Sequence, residues 1–263
     1  MSGMDPSYGP QLARVRDVRR GSDGVLLEGV HALKHATRFG ARIEVALTPV
    51  RDELARLLED LAPDVALPAA LLEVDPATWR TATVGRELPS PSLAVADRPT
   101  VTPGDVLTTP GHVVVLEQPR HLGNLGAVVR VAAAAGAGGV LVVGAADPWH
   151  PTAVRAAAGL QFALPVARCD ELPPVDGRPV VALDADLHAD ADPDADVSHG
   201  LPVAEDAVVL FGTERGGLTA ALRSRATATA AIPMQPGVSS LNLATAVAVV
   251  LYAGRLGTPA AEP

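Results

Sequence analysis

The sequence predicts an α/β protein whose C-terminal part is built around a parallel β-sheet and whose N-terminal part is a smaller α/β unit. Short apolar runs alternate with helical stretches along the chain, which is typical of parallel β/α architecture. In the C-terminal part the apolar runs are nearly continuous, as in strands buried on both faces of a sheet. The chain has 263 residues, 48% of them hydrophobic, so it can form a substantial core.

The N-terminal unit is predicted to span residues 11–97. The apolar segments VLLEG and IEVALT flank the helical stretch HALKHATRFG, and the amphipathic stretch RDELARLLEDLA follows them. A series of prolines comes next: Pro89, Pro91, Pro99, Pro103 and Pro110. Because repeated prolines remove backbone donors and favour extended chain, we expect a linker over residues 98–110.

The second domain is predicted to span residues 111–258. It opens with the apolar run HVVVLE, and GGVLVVG, RPVVALD and DAVVLFG repeat the pattern. Helices are expected at 125–135 and 152–160. The last helix, 241–256, is apolar on nearly every face and therefore needs cover on nearly every face. A second copy of the domain is the simplest cover, which predicts a homodimer.

Composition excludes several classes of protein. Cys169 is the only cysteine, so the chain can form neither an internal disulfide nor a zinc site with several thiolates. No run reaches the roughly 18 to 20 apolar residues of a membrane helix, and the N-terminus lacks the apolar core of a signal peptide. We therefore expect a cytoplasmic protein without a membrane partner. The acidic stretch 184–196 indicates a solvated loop rather than a metal site, since it offers no fixed ligand geometry.

The distribution of charge along the chain says more about an RNA partner than the net charge does. The net charge of −9 argues against RNA as a partner, because basic residues neutralise phosphates in such complexes. Residues 1–51, however, hold eight basic and five acidic residues, whereas 99–263 hold nine and sixteen. Four arginines crowd one N-terminal segment: Arg14, Arg16, Arg19 and Arg20. They predict an RNA-binding surface, with a disordered, solvated arm as the alternative.

Three glycine-bearing segments follow predicted strands of the second domain, where ligands of open α/β sheets usually bind. In EQPRHLGNLGAVVR the glycines allow a tight turn into a helix that Asn124 can cap, and Arg130 lies about a turn and a half further on. A plain strand-to-helix turn with a surface arginine is the alternative. In FGTERGGL the glycines indicate close backbone approach to a ligand or another loop, although Glu214 could instead interact with a helix dipole.

The third segment, IPMQPGVSSLN, leads into the last helix. Ser239, Ser240 and Asn242 cluster at the helix start. Capping requires one polar residue there and leaves the others unexplained. This surplus favours a functional role.

In order and spacing, the three segments resemble motifs 1, 2 and 3 of the SpoU (TrmH) family of SPOUT methyltransferases, over roughly residues 111–256. The matching residues are Asn124 and Arg130 in motif 1, Gly212 and Glu214 in motif 2, and Ile232, Pro233, Met234, Ser240, Leu241 and Asn242 in motif 3. The stretch DPWHPTAVRAAAGLQFALPV is also similar to the family, except that Ala157 replaces its usual serine. The N-terminal unit is more loosely similar to the family's ribosomal-protein-like substrate-binding domain.

The resemblance implies a deep trefoil knot in the second domain and an S-adenosyl-L-methionine-dependent enzyme that methylates a ribose 2′-hydroxyl of tRNA or rRNA. It implies a catalytic Arg130, oriented together with the ribose by Asn124, Glu214, Ser240 and Asn242. The cofactor would be bound by Gly212, Thr213, Ile232, Met234 and Leu241. No metal is required, because the sulfonium already activates the methyl group.

Two other functions are open to such a sequence. A knotted protein could bind RNA or S-adenosyl-L-methionine without catalysis, although the complete set of motif residues disfavours this. A nicotinamide oxidoreductase also alternates strands and helices. The absence of a G-x-G-x-x-G segment after any strand argues against that function.

Overall fold

The computed structural model describes residues 8–183, 198–199, 201–213, 216–235, 237–238 and 240–254. The chain forms two compact units. The N-terminal unit consists of the chain up to Thr100 together with Trp149–Ala163, and the C-terminal unit consists of Val101–Pro148 and the chain from Leu164 onward. The boundary at Thr100 lies inside the segment predicted as a linker.

The segment Trp149–Ala163 was expected in the second domain, but it packs within the N-terminal unit. Two polar contacts join this segment to the unit. Arg155 Nη1 lies 2.8 Å from Glu28 Oε2, and His35 Nδ1 lies 2.8 Å from the carbonyl oxygen of Ala158. These long-range polar contacts leave no periodic signal in the sequence.

The N-terminal unit consists of one small sheet with helices on both faces. In chain order its elements are α1 (Gly9–Arg19), β1 (Val25–Glu28), α2 (Val30–Arg38), β2 (Ile43–Thr48), α3 (Arg51–Leu61), β3 (Leu71–Glu73), α4 (Pro76–Ala82) and β4 (Leu93–Ala96), and later α7 (Pro151–Ala156) and a 3-10 helix (Leu160–Ala163). The strand order is β1-β4-β2-β3. β4 is antiparallel to β1 and β2, whereas β3 is parallel to β2.

Strand alternation divides this core into two layers. Val15 and Val18 of α1 form a buried cluster with Leu26, Leu47 and Leu93, which share one face of the sheet. Successive side chains on a strand point to opposite faces, so the neighbouring strand residues face the other layer. That layer begins with α2, which contacts β1, β4 and α3.

Arg14, one of the arginines predicted to bind RNA, is engaged within this unit. Its Nε lies 2.6 Å from Glu44 Oε2 and its Nη2 lies 3.0 Å from Glu44 Oε1. The hydrogen bond from Arg14 is the largest cause that lowers the pKa of Glu44 from 4.5 to about 2. The carboxylate therefore stays ionised in mildly acidic solution.

This ion pair predicts a pH-dependent stability. Because the pKa of Glu44 is lower in the folded chain, its contribution is fully present above about pH 4.5 and is lost as the pH falls toward 2. At pH 7, Glu44→Gln should lower the free energy of unfolding by about 1–3 kcal/mol, as for a hydrogen bond between charged groups. Urea unfolding between pH 7 and pH 3 measures this difference. A difference that stays constant over that range would contradict the assignment.

The C-terminal unit is built on a single parallel sheet. Its elements are α5 (Pro103–Thr108), β5 (Val113–Glu117), α6 (Leu122–Ala134), β6 (Gly139–Val143), β7 (Val166–Cys169), β8 (Val180–Leu183), β9 (Ser198–His199), β10 (Val208–Phe211), α8 (Ala220–Arg223), β11 (Ala228–Ala230) and α9 (Leu243–Ala253). Within the described residues the strand order is β7-β6-β5-β10-β8-β11-β9, and every pairing is parallel. The predicted α/β fold with a parallel C-terminal sheet is confirmed.

The proline-rich segment is not extended throughout, because it contains α5. Pro103 occupies the first turn of this helix, where a missing N–H costs nothing. Thr102 caps the helix and Asp105 completes the capping box.

Other expected bounds also shift. The helix expected at 125–135 begins at Leu122, the one expected at 152–160 ends at Ala156, and the last helix runs from Leu243 to Ala253. The acidic stretch 184–196 lies outside the described residues. Among the helices that are described, none is long and apolar enough to cross a membrane.

Candidate active site at the carboxyl ends of the parallel strands

The three motif segments leave the sheet at one edge. β5 ends at Glu117, β10 at Phe211 and β11 at Ala230, and each is followed by one motif. Since all strands of this sheet are parallel, their carboxyl ends lie at the same edge, where α/β proteins bind ligands.

Motif 1 places Asn124 inside α6 rather than at its cap. The N-cap position is His121, whose side chain makes no capping hydrogen bond, and Asn124 is the third residue of the helix. The prediction that Asn124 caps this helix is therefore wrong, because the helix begins two residues before it. Its Oδ1 instead accepts a hydrogen bond from Asn242 Nδ2 at 3.2 Å.

Asn242 joins motif 3 to motif 1. Its Oδ1 caps α9 by accepting hydrogen bonds from the N–H groups of Ala244 and Thr245, at 2.9 and 3.4 Å. Its Nδ2 is thereby oriented toward Asn124. α9 also packs along α6, so apolar burial holds the asparagine pair at the meeting point of the two helices.

Arg130 lies further along α6, with its side chain exposed. The residues before it, Val128 and Val129, are fully buried, which fixes the helix against the sheet and directs Arg130 outward. A rigid helix holds a functional side chain in a more defined position than a loop does, so Arg130 is well placed to contact a substrate. Ala157, which the resemblance singles out as a departure, is fully buried in the N-terminal unit.

The motif 2 loop is held together by hydrogen bonds between its own backbone groups. Thr213 N–H donates to the Gly217 carbonyl at 3.0 Å, and Gly217 N–H donates to the Thr213 carbonyl at 3.2 Å. A side chain at Gly212 would overlap Gly217 and Leu218, so only glycine fits there. The close approach expected from the glycines is thus made within the loop itself. Glu214 lies outside the described residues.

A buried carboxylate, missed by the sequence analysis, fastens this loop to motif 1. Glu117 Oε2 accepts a hydrogen bond from Thr219 N–H at 2.8 Å, and Glu117 Oε1 accepts one from Thr219 Oγ1 at 2.7 Å. Thr219 also caps α8 through the N–H of Leu222. The available signal was an acid ending the apolar run HVVVLE, since a carboxylate at a buried position needs hydrogen-bond partners.

Motif 3 offers apolar and polar groups together. Ile232 and Met234 are half-buried, while Ser240 and Leu241 are exposed. Residues 231–235 form neither helix nor strand, so their backbone groups are not committed to a helix or a ladder. Such a segment suits a ligand with a flat aromatic ring and hydrogen-bonding edges. Ser239 lies outside the described residues.

The four N-terminal arginines differ in their surroundings. Arg14 is paired with Glu44, and Arg19 Nη1 lies 3.0 Å from Glu28 Oε1. Arg16 and Arg20 are exposed. Two of the four arginines therefore neutralise acidic side chains within the unit.

The chain is similar to known proteins in sequence and in fold. The sequence profile of the SpoU rRNA Methylase family matches residues 111–252. A 23S rRNA (uridine(2479)-2′-O)-methyltransferase of Streptomyces viridochromogenes is 34% identical over 53% of this chain, and the match spans 50% of that relative's length. An uncharacterized tRNA/rRNA methyltransferase of Mycobacterium tuberculosis is 32% identical over 92% of this chain and 84% of its own length.

Most of the chain also aligns with a solved structure. An AdoMet-bound rRNA methyltransferase from Sinorhizobium meliloti aligns with a TM-score of 0.71 and 26% identity, covering 95% of both chains. Together with the profile match over more than half of the sequence, these similarities establish that the chain belongs to the SpoU rRNA methylase family.

Proposed function

We propose that this protein transfers a methyl group from S-adenosyl-L-methionine to a ribose 2′-hydroxyl of RNA. The observation that carries the proposal is the hydrogen bond between Asn242 of motif 3 and Asn124 of motif 1. It brings together two of the three motifs at the ligand-binding edge of the sheet, in a chain whose family is named for rRNA methylation. The rRNA named for two of the relatives favours rRNA over tRNA as the substrate.

The chemistry requires a nucleophilic oxygen, because a neutral hydroxyl attacks carbon poorly. S-adenosyl-L-methionine supplies the methyl group on a positively charged sulfonium. Arg130 binds and orients the ribose hydroxyl and stabilises the negative charge that develops on its oxygen. A guanidinium holds its proton tightly, so Arg130 acts through charge and hydrogen bonds. The hydroxyl proton passes to water, and the spent methyl donor leaves as the neutral thioether S-adenosylhomocysteine. The asparagine pair fixes α6 and thus the position of Arg130.

Motifs 2 and 3 form the cofactor site in this proposal. Backbone groups at Gly212, Thr213, Ile232 and Leu241 bind the cofactor, and Met234 contributes apolar contact. Glu214 and Ser240 orient the reacting groups. No metal takes part.

A deep trefoil knot is part of the proposed fold. The strand order supports it: β10, late in the chain, lies between β5 and β8, while β8 and β11 continue the sheet on the far side. Motif 2 thus follows strand β10, whose two neighbours in the sheet both come earlier in the chain.

The N-terminal unit is proposed to bind the RNA substrate, and the cytoplasm is the compartment that fits such a substrate. Arg16 and Arg20 are the members of the predicted set that are exposed and suited to phosphate contact. Arg14 and Arg19 hold the unit together through their acids.

Calorimetry with S-adenosyl-L-methionine, together with transfer of tritiated methyl groups to RNA, tests the proposed activity. Cofactor binding with RNA-dependent transfer is expected. Binding without transfer to rRNA or tRNA would instead indicate a non-catalytic binding protein. Comparing 2′-O-methyl sites in RNA from a deletion strain and its parent would identify the modified nucleotide.

A homodimer is expected, because apolar side chains near motif 3 remain uncovered. Leu241 is 41% exposed and Val249, on α9, is 36% exposed, although α6 covers the opposite face of that helix. A partner subunit would bury both. Sedimentation at micromolar concentration should give twice the chain mass. An active monomer at that concentration would contradict the expectation.

A further inference from the structure

A single buried carboxylate in the N-terminal unit holds three arginines. Glu28 ends strand β1 and its side chain is 1% exposed. Arg19 Nη1 lies 3.0 Å from Glu28 Oε1, while Arg86 Nη2 and Arg155 Nη1 lie 3.0 and 2.8 Å from Glu28 Oε2. The arginines come from α1, from the segment after α4 and from α7. We call these four residues the Glu28 cluster.

The cluster carries more positive charge than its acid can neutralise. Burial by itself would raise the pKa of Glu28, but hydrogen bonds and charges from the arginines outweigh it and hold the pKa below its ordinary value. The carboxylate is therefore ionised at neutral pH. One negative charge against three positive ones leaves an excess of two.

Other arginines of this unit are matched more evenly. Arg38 pairs with Asp64, and Arg42 pairs with Asp97. One guanidinium can satisfy a carboxylate through two parallel hydrogen bonds. Neutralising Glu28 therefore does not account for all three arginines.

The members of the cluster differ in exposure. The Arg19 side chain is 19% exposed and also donates to the Ala82 carbonyl, as expected of a structural residue. The side chains of Arg86 and Arg155 are 47% and 41% exposed. Each has five N–H donors and gives one to Glu28 in this structure, so both can serve a second acceptor at the surface.

We propose that Arg86 and Arg155, held in place by Glu28, form a surface that binds phosphates of the RNA backbone. The inference rests on the proposed function, which supplies RNA as the partner, and it identifies where the N-terminal unit binds it. Arginine suits this role because its planar guanidinium engages phosphate oxygens in pairs. Glu28 restricts the side chains before binding, which lowers the entropy cost of ordering them.

The test measures the salt dependence of binding to purified 23S rRNA. Arg86→Gln/Arg155→Gln removes two charges, and glutamine keeps an N–H donor for Glu28. Losing two phosphate contacts should reduce the slope of log K against log salt by about 1.4–1.8 and weaken binding by about 25- to 60-fold at 0.1 M salt. Arg51→Gln/Arg56→Gln, which removes two exposed charges from α3, is the matched control and should leave the slope unchanged.

Two further measurements separate binding from folding. Urea unfolding should show that the double glutamine variant still folds cooperatively, although it loses part of the stability that the two ion pairs to Glu28 provide. Its S-adenosyl-L-methionine affinity should match the wild type, and lysine at both positions should restore most of the slope. If the wild type binds the rRNA and the Arg86→Gln/Arg155→Gln variant has the same slope of log K against log salt as the wild type, the Glu28 cluster is not the RNA surface. If the wild type binds neither rRNA nor tRNA, the proposed function itself fails.

Discussion

Replacing Arg130 with alanine should reduce methyl transfer by about 100- to 1,000-fold, the usual cost of removing a preorganised oxyanion donor. The structure supports a selective effect, because Arg130 is exposed on α6 while the residues before it are fully buried. Truncating an exposed side chain leaves that packing intact. Affinity for S-adenosyl-L-methionine and the free energy of unfolding should therefore stay close to wild type.

A conservative variant and a control variant test whether the effect is specific to the guanidinium of Arg130. Arg130→Lys should recover only part of the activity, since a point charge lacks the planar fork of the guanidinium. Arg168→Ala removes an exposed arginine from edge strand β7 and should transfer methyl groups at the wild-type rate. Near wild-type transfer by Arg130→Ala would refute the catalytic assignment.

Glu117→Ala should destabilise the C-terminal unit and weaken cofactor binding together. Both carboxylate oxygens hold Thr219, immediately after the motif 2 loop, from a position that is 5% exposed. Hydrogen bonds to charged groups contribute about 1.5–3 kcal/mol each, so losing both should cost about 2–4 kcal/mol after partial rehydration. Loosening this loop should raise the dissociation constant for S-adenosyl-L-methionine at least about tenfold, equivalent to about 1.4 kcal/mol.

Conservative variants distinguish the hydrogen bonds from the charge. Glu117→Gln keeps an acceptor for the Thr219 N–H and can donate to its hydroxyl, so it should lose about 1 kcal/mol. Thr219→Val removes the hydroxyl, which bonds both Glu117 and the N–H of Leu222, and should fall between the two. Urea unfolding and calorimetry provide both readouts. Wild-type stability and affinity in Glu117→Ala would show that the loop is held by other contacts.

The sequence was sufficient for the parallel sheet because strand burial is a local property. Runs such as HVVVLE and DAVVLFG have no polar side that could face water, and they became β5 and β10 at the centre of the sheet. Asn124 and Asn242, by contrast, are 118 positions apart in the chain. The motif resemblance assigns both residues to one site, whereas their hydrogen bond depends on how the folded chain brings the two helices together.

The remaining differences share one physical origin, which is side-chain contact across long sequence separations. Arg14 and Arg19 look like surface charges in the sequence, yet Glu44 of β2 and Glu28 of β1 form ion pairs with them. Likewise, Arg155 fixes its segment to the N-terminal unit through Glu28, 127 positions away. Composition and periodicity carry no record of such pairs.

The central claim is tested most directly by mass spectrometry of nucleosides from rRNA incubated with the protein and S-adenosyl-L-methionine that carries a deuterated methyl group. We predict a single labelled nucleoside with the methyl group on the ribose 2′-oxygen, greatly reduced with Arg130→Ala. Label on a base, or no label in rRNA or tRNA despite cofactor binding, would contradict the account.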